Sequence, residues 1–223
     1  MTILEEIAFC VEKGKADSKT PYPADMSGKK GALELTQEAL ASGIDPKVIM
    51  AEGLLKGMQR LGEEFSAGKA FVPNLLIGAR AVKIAMVPLA ACFTHPHEMV
   101  KGSVILGTVK GDLHDIGKNI VRIILEGDGW RVVDLGVDVS AEKFSQAIRE
   151  EQVKFVGLSA MLTTTMLNMK KITHDIKNAC NDVNVFIGGA PVSQEFNDAI
   201  SADGYFRDPH SLIKHLNSLV RIK

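Results

Sequence analysis

Apolar residues recur at helical spacing through the first 92 residues. Ile3 to Lys13 reads as a short amphipathic helix. Gly14 to Gly31 is polar, contains Pro21, Pro23 and Gly28, and reads as a solvated surface loop, with a docking role as the alternative. Ala32 to Ala41 places Leu33, Ala39 and Leu40 at helical spacing and stops at Gly43. Asp45 before Pro46 is an N-cap followed by proline at the first helical position. It opens a long helix, Lys47 to about Phe65, with Ile49, Leu54, Leu55, Met58 and Leu61 on one broad face. Ser66 to Lys69 breaks that helix, and Pro73 starts another running through Leu75, Leu76, Ala79, Val82, Ile84, Ala85 and Val87. Four helices with short connections after the first predict a small helical bundle.

After residue 101 the pattern changes to short β-branched runs alternating with helical stretches. The strands are 103–109, 131–134, 155–159, 183–187 and a short one near 204–206; the helices are 117–127, 141–150, 166–178, 193–200 and 209–219. Five strand–helix units predict an α/β domain with a doubly wound parallel sheet. The expected division is a helical domain over 1–92, a linker over 93–100 marked by Pro96 and two histidines, and the sheet domain over 101–223. Right-handed crossovers put every loop that follows a strand on one edge. That edge gathers Asp112–Gly117, Gly136–Asp138, Ser159–Thr165 and Gly188–Ala190, at the place where open α/β sheets bind ligands.

Composition narrows the classes. The 223 residues are 46% hydrophobic and 24% charged with a net charge of −1, so nothing points to nucleic acid or a membrane surface as partner. Cys10, Cys92 and Cys180 are odd in number, widely spaced and without CxxC, which argues against a disulfide framework or zinc site and fits a reduced cytoplasm. The N-terminus has no basic, apolar leader pattern. No stretch is expected to approach the roughly 20 apolar residues of a membrane span.

Three of the edge loops carry chemistry. Asp112-Leu113-His114 follows a buried strand: the histidine can offer one ring nitrogen to a metal while the acid holds the other. Taken alone it reads as a loop histidine capping the helix that starts near Ile116, a reading that the loop position and the glycines on both sides weaken. Ser159 to Thr165 is rich in hydroxyls that suit a polar ligand, a buried acid or a plain helix start. Gly188-Gly189-Ala190 permits close approach of a bulky group or forms a tight turn; it lacks the GxGxxG spacing of a dinucleotide site.

Gly111-Asp112-Leu113-His114-Asp115-Ile116-Gly117 contains the DxHxxG of the cobalamin-binding domain. Gly157-Leu158-Ser159-Ala160 and Ile187-Gly188-Gly189-Ala190 are similar to that domain's later serine and double-glycine elements, in the same order. The N-terminal helices resemble the helical cap that precedes this module in methionine synthase and in the small corrinoid proteins of methyl-transfer systems. The resemblance covers nearly the whole chain and implies a Rossmann- or flavodoxin-like sheet domain binding cobalamin or a related corrinoid. It makes His114 the lower axial cobalt ligand and the metal site, with Asp112 hydrogen-bonded to it and Thr165 completing the relay where methionine synthase has serine. It places Gly111, Asp115, Ile116, Gly117, Ser159, Leu162, Thr163, Gly188, Gly189 and Ala190 around the cofactor and its nucleotide tail. Phe65 and Val72 fall where the family sets apolar residues over the upper face; on their own they suit bundle core equally well.

The function implied is a methyl carrier, not catalytic alone, working with a substrate:corrinoid methyltransferase, a second methyltransferase of the tetrahydrofolate or coenzyme M type, and a reductive activase. The helical cap is expected to move relative to the sheet with 93–100 as hinge. The competing readings are a cobalamin-dependent sensor, for which no basic recognition helix is evident, a mutase fragment, which lacks such a cap, and a metallophosphoesterase. The last needs further acids and histidines on later loops, where this chain has Ser, Thr and Gly, while His174, His210 and His215 fall in predicted helices.

Overall fold

The structure is a computed structural model and describes residues 1–93, 100–180 and 182–220. The expected linker and hinge fall largely on 94–99, outside the described residues. The chain divides into two compact units: residues 1–101 with 123–129, and residues 102–122 with 130–223.

The first unit is helical. α1 (Ile3–Glu12), α2 (Ala32–Ala41), α3 (Pro46–Val48), α4 (Lys56–Ser66) and α5 (Val72–Ala90) carry it, with a π-helical stretch, Ile49–Leu55, joining α3 to α4 without a break. The long helix expected from the Asp45-Pro46 start is thus one run with a widened middle. Asp45 caps it by accepting a hydrogen bond from the Lys47 N–H at 2.7 Å. Ile7, Val11, Ile49, Leu54, Leu61, Leu75 and Leu89 are fully buried and form its core.

The expectation about membrane spans needs correction. α5, with 19 residues, is long and apolar enough to cross a membrane by length and composition. It packs against α1, α2 and α4 and buries Leu75, Gly78, Ala79, Val82, Ala85 and Leu89 there, while Arg80 and Lys83 are exposed, so it is the core helix of the bundle. The 14–31 segment is a surface loop over most of 19–30, as expected, but its ends are anchored. Lys15 is completely buried, its ammonium donates to the Thr20 carbonyl at 2.6 Å, and Glu34 accepts from the Ser18 and Gly31 N–H groups at 2.9 Å.

The second unit is the five-stranded, all-parallel sheet that the alternation predicts, in the order β2-β1-β3-β4-β5. The strands are β1 (Gly102–Thr108), β2 (Trp130–Asp134), β3 (Phe155–Ser159), β4 (Asn184–Gly188) and β5 (Gly204–Tyr205). The helices are α6 (Ile116–Gly127), α7 (Ala141–Glu151), α8 (Thr163–Ala179), α9 (Gln194–Ile200) and α10 (Pro209–Val220). On one sheet face Ile105, Val109, Val156, Leu158, Val185 and Ile187 pack with Phe144 and Ile148 of α7 and Met169, Ile172 and Ile176 of α8. On the other, Trp130, Phe155, Phe186 and Phe206 form a row of ring contacts, and Trp130 donates to Asn217 of α10 at 3.1 Å. This strand order is that of flavodoxin-like sheets, whose switch point lies between β1 and β3. Register aligns Thr108 with Ser159 and Ser159 with Gly188, so the ends of three strands form one row at the edge where the three motifs begin.

α8 starts earlier than the pattern predicts. Thr163, Thr164 and Thr165 occupy its first turn rather than a loop. Three threonines lower helix propensity and mask the start in the sequence; contacts to the neighbouring loop fix it in the fold.

Candidate functional site

The site is built on the loop between β1 and α6. Asp112 is fully buried there, and its carboxylate accepts four hydrogen bonds. Oδ1 takes the His114 backbone N–H at 3.0 Å and lies 2.7 Å from His114 Nδ1. Oδ2 takes the Met161 N–H at 2.8 Å and the Thr165 hydroxyl at 2.5 Å. Burial by itself raises the pKa of Asp112, but the Thr165 hydroxyl, the Met161 and His114 N–H groups and the His114 ring together outweigh it and hold the carboxyl well below the usual range. An ionised Asp112 beside Nδ1 selects the imidazole tautomer protonated on Nδ1 and leaves Nε2 as the basic nitrogen.

Thr165 has one hydroxyl proton and two acceptors in reach, Asp112 Oδ2 and the Leu162 carbonyl at 3.0 Å. It donates to Asp112 when that acid is ionised, and can accept from it and donate to Leu162 when it is protonated. The structure therefore brings Asp112, His114 and Thr165 into one connected network. A Thr165→Val variant, which keeps the volume and loses the hydroxyl, is expected to lower the unfolding free energy of the apoprotein by about 1–2 kcal/mol, while Thr165→Ser stays near wild type. Urea unfolding of the pair measures the difference.

His114 differs from its acid in exposure: 55% of its side chain is open, and among the described residues no partner engages Nε2. Large apolar side chains are exposed on the same loops: Leu113 is 73% exposed, Ile116 76% and Met161 50%, and Leu162 is also exposed. Exposed apolar side chains on the loops that carry one basic nitrogen suit a broad, flat metallocycle. Gly111, Asp115, Gly117, Thr163, Gly189 and Ala190 are likewise exposed on these loops, whereas Ser159 is half-buried at the end of β3. Phe65 and Val72 are half-buried in the first unit, at the end of α4 and the start of α5, rather than closed into its core. Among the described residues no three His, Cys, Asp or Glu side chains gather as the metallophosphoesterase alternative requires.

A model of the B12 binding domain matches residues 102–213, and a second B12 binding domain model matches residues 28–87. The trimethylamine corrinoid protein 2 of Methanosarcina mazei is 36% identical over 195 residues, covering 86% of this chain and 89% of that protein. The chain belongs to the B12-binding corrinoid proteins. A corrinoid protein of Desulfitobacterium hafniense is 34% identical over 99% of this chain and 98% of its own length. Among solved structures, the methanol:cobalamin methyltransferase complex of Methanosarcina barkeri aligns with a TM-score of 0.80 at 27% identity, covering 98% of this chain and 80% of the other. A cobalamin-binding protein from Desulfitobacterium hafniense aligns at 0.75 and 26% identity, covering 96% and 97%. The corrinoid cofactor and the helical cap before a five-stranded sheet, both expected from the resemblance, follow from these matches.

Several residues that shape this corrinoid-protein loop escaped the sequence reading. Thr108 is fully buried and its hydroxyl donates to the His114 carbonyl at 2.9 Å. Lys118 is buried and bonds both Asp134 oxygens, at 2.5 and 2.6 Å, tying the start of α6 to the end of β2. Their only signal in the sequence was position at a strand end or a first helical turn, which many structural residues share.

Proposed function

We propose that this chain is a methyl carrier of a corrinoid-dependent methyltransferase system. It takes a methyl group from a substrate-specific methyltransferase and delivers it to a second one acting on tetrahydrofolate, coenzyme M or a similar acceptor. A reductive activase completes the set of partners, and the setting is cytoplasmic. The bound corrinoid supplies the cobalt centre on which the group is carried. The names of the related trimethylamine proteins and of the methanol:cobalamin complex support this reading.

The observation that carries it is the setting of His114: Nδ1 is held by a buried carboxylate, while the side chain is 55% exposed on loops that also expose Leu113, Ile116, Met161 and Leu162. In this reading His114 would hold the cobalt of the bound corrinoid through Nε2. Asp112 would take up or release a proton as the demand on that ligand changes, with the Thr165 hydroxyl turning between Asp112 and the Leu162 carbonyl, because hydrogen bonding to the far nitrogen tunes ligand basicity. Ile116, Leu162 and their neighbours keep water from the metallocycle, Ser159 and Thr163 offer hydroxyls to the nucleotide tail, and Gly188 and Gly189 leave room for it. Phe65 and Val72 remain the candidates for apolar contact with the corrinoid.

Reconstitution with hydroxocobalamin tests this. Nitrogen superhyperfine coupling in the EPR spectrum of the cobalt(II) protein, present in wild type and absent in His114→Ala, is the expected result. Failure of the wild type to bind the corrinoid overturns the reading.

A further inference from the structure

Two side chains outside the three motifs grip the backbone of the loop that carries Asp112. Asp138 lies in the connection from β2 to α7. Its Oδ1 accepts the Gly111 N–H at 2.8 Å, and its own N–H donates to the Asp112 carbonyl at 3.0 Å. Asn168 lies on α8, and its side-chain amide donates to the Lys110 carbonyl at 2.6 Å. Lys110, Gly111 and Asp112 are consecutive, so this short turn is held from two elements at once.

The local backbone explains the need. Gly111 has φ +83° and Asp138 φ +54°, both in the left-handed region. Such a turn is weakly determined by its own sequence and persists where surrounding bonds over-determine it. Val139 continues the grip by donating to the Thr108 carbonyl at 2.9 Å, which extends β1 by one bridge to the β2–α7 connection. The Lys110–Asp138 ion pair, at 2.9 Å, is exposed and adds little; the backbone bonds carry the effect. Asn168 follows Thr165 by three residues on α8, so one helical face presents both the hydroxyl that touches Asp112 and the amide that holds the preceding turn.

We propose that Asp138 and Asn168 are positioning residues for the axial ligand: they set the turn before Asp112, and through Asp112 they aim the His114 ring. The proposal rests on His114 being the axial ligand. The path runs from Asp138 through Gly111 and Asp112 to the His114 ring by hydrogen bonds alone.

Asp138→Ala and Asn168→Ala test it. Each is reconstituted with hydroxocobalamin, the corrinoid affinity is measured by titration, and the cobalt(II) EPR spectrum is divided into fractions with and without nitrogen coupling. The expected result is a folded apoprotein by circular dichroism, about tenfold weaker corrinoid binding, at the low end for residues supporting a metal ligand, and a clearly reduced nitrogen-coupled fraction. Asp138→Asn, whose Oδ1 can still accept the Gly111 N–H, restores most of both. Wild-type affinity together with a wild-type nitrogen-coupled fraction in either alanine variant that folds overturns the proposal, and the exposed Asn168 contact provides that test if Asp138→Ala does not fold. Nitrogen coupling in wild type that survives in His114→Ala overturns the axial-ligand reading instead, so the two failures are distinct.

Discussion

An Asp112→Ala variant is expected to lose about 3 kcal/mol of unfolding free energy in urea, and to bind hydroxocobalamin far more weakly than wild type. The reason is the number of donors aimed at this carboxylate. Removing it leaves the Met161 N–H, the His114 N–H and the His114 Nδ1 directed at an emptied position, while the Thr165 hydroxyl can turn to the Leu162 carbonyl. Each buried donor without a partner costs about 1–3 kcal/mol, and water entering from the exposed His114 side offsets part of the sum. Asp112→Asn is milder. With its oxygen toward His114, its amide nitrogen opposes the Met161 N–H, while Thr165 can turn to accept from that amide and donate to Leu162. The same carboxylate predicts a pH dependence. Its pKa is lower in the folded chain than the ordinary 3.8. It therefore stabilises the fold at full strength above that ordinary value, and the contribution is lost as pH falls below it toward the depressed folded value. Acid unfolding of wild type and Asp112→Asn side by side should show this component in wild type and its absence in the variant.

Gly189→Ala is expected to be comparably damaging, at about 3 kcal/mol, although the position is on the surface. A Cβ at Gly189 would stand 1.9 Å from the Ala160 carbonyl oxygen, and the residue has φ +129°. Backbone strain and steric conflict each contribute about 1–3 kcal/mol, and a carbonyl on a neighbouring strand end cannot turn aside as a flexible side chain does. The displaced segment leads directly to Met161, whose N–H holds Asp112. The stability loss should therefore come with weaker hydroxocobalamin binding. Gly111→Ala serves as the comparison: φ is +83° but the nearest atoms to a Cβ are 3.8 Å away, so only the conformational cost remains, about 1 kcal/mol. Equal losses in the two variants, by urea unfolding, would contradict this account.

Taken together, these residues hold His114 by one ring nitrogen. Its side chain is more than half exposed, while the carboxylate that engages Nδ1 is fully buried. Strength is concentrated on Asp112, and the loop is braced at its base by Asp138, Asn168 and Thr108.

Period alone determined a great deal. Helical spacing in the first ninety residues and β-branched runs afterwards are local signals that burial preserves, so the bundle and the five parallel strands were legible. The loop residues Asp112 and His114 were legible as well, because their spacing is short and their chemistry distinctive. Tertiary structure decided what depends on distant partners. The start of α8 at Thr163 was hidden because threonine is a poor helix former and the contact that fixes Thr165 comes from Asp112, 53 positions away. The buried Lys15 looked like one more charge in a polar loop until the fold supplied Thr20 as its acceptor. The apolar character of α5 was misjudged because its charges are confined to an exposed edge. The alternation placed the Gly136–Asp138 and Asp112–Gly117 loops on one edge, but the individual bonds of Asp138 and Asn168 to that turn depend on the sheet order and register, which local pattern does not encode.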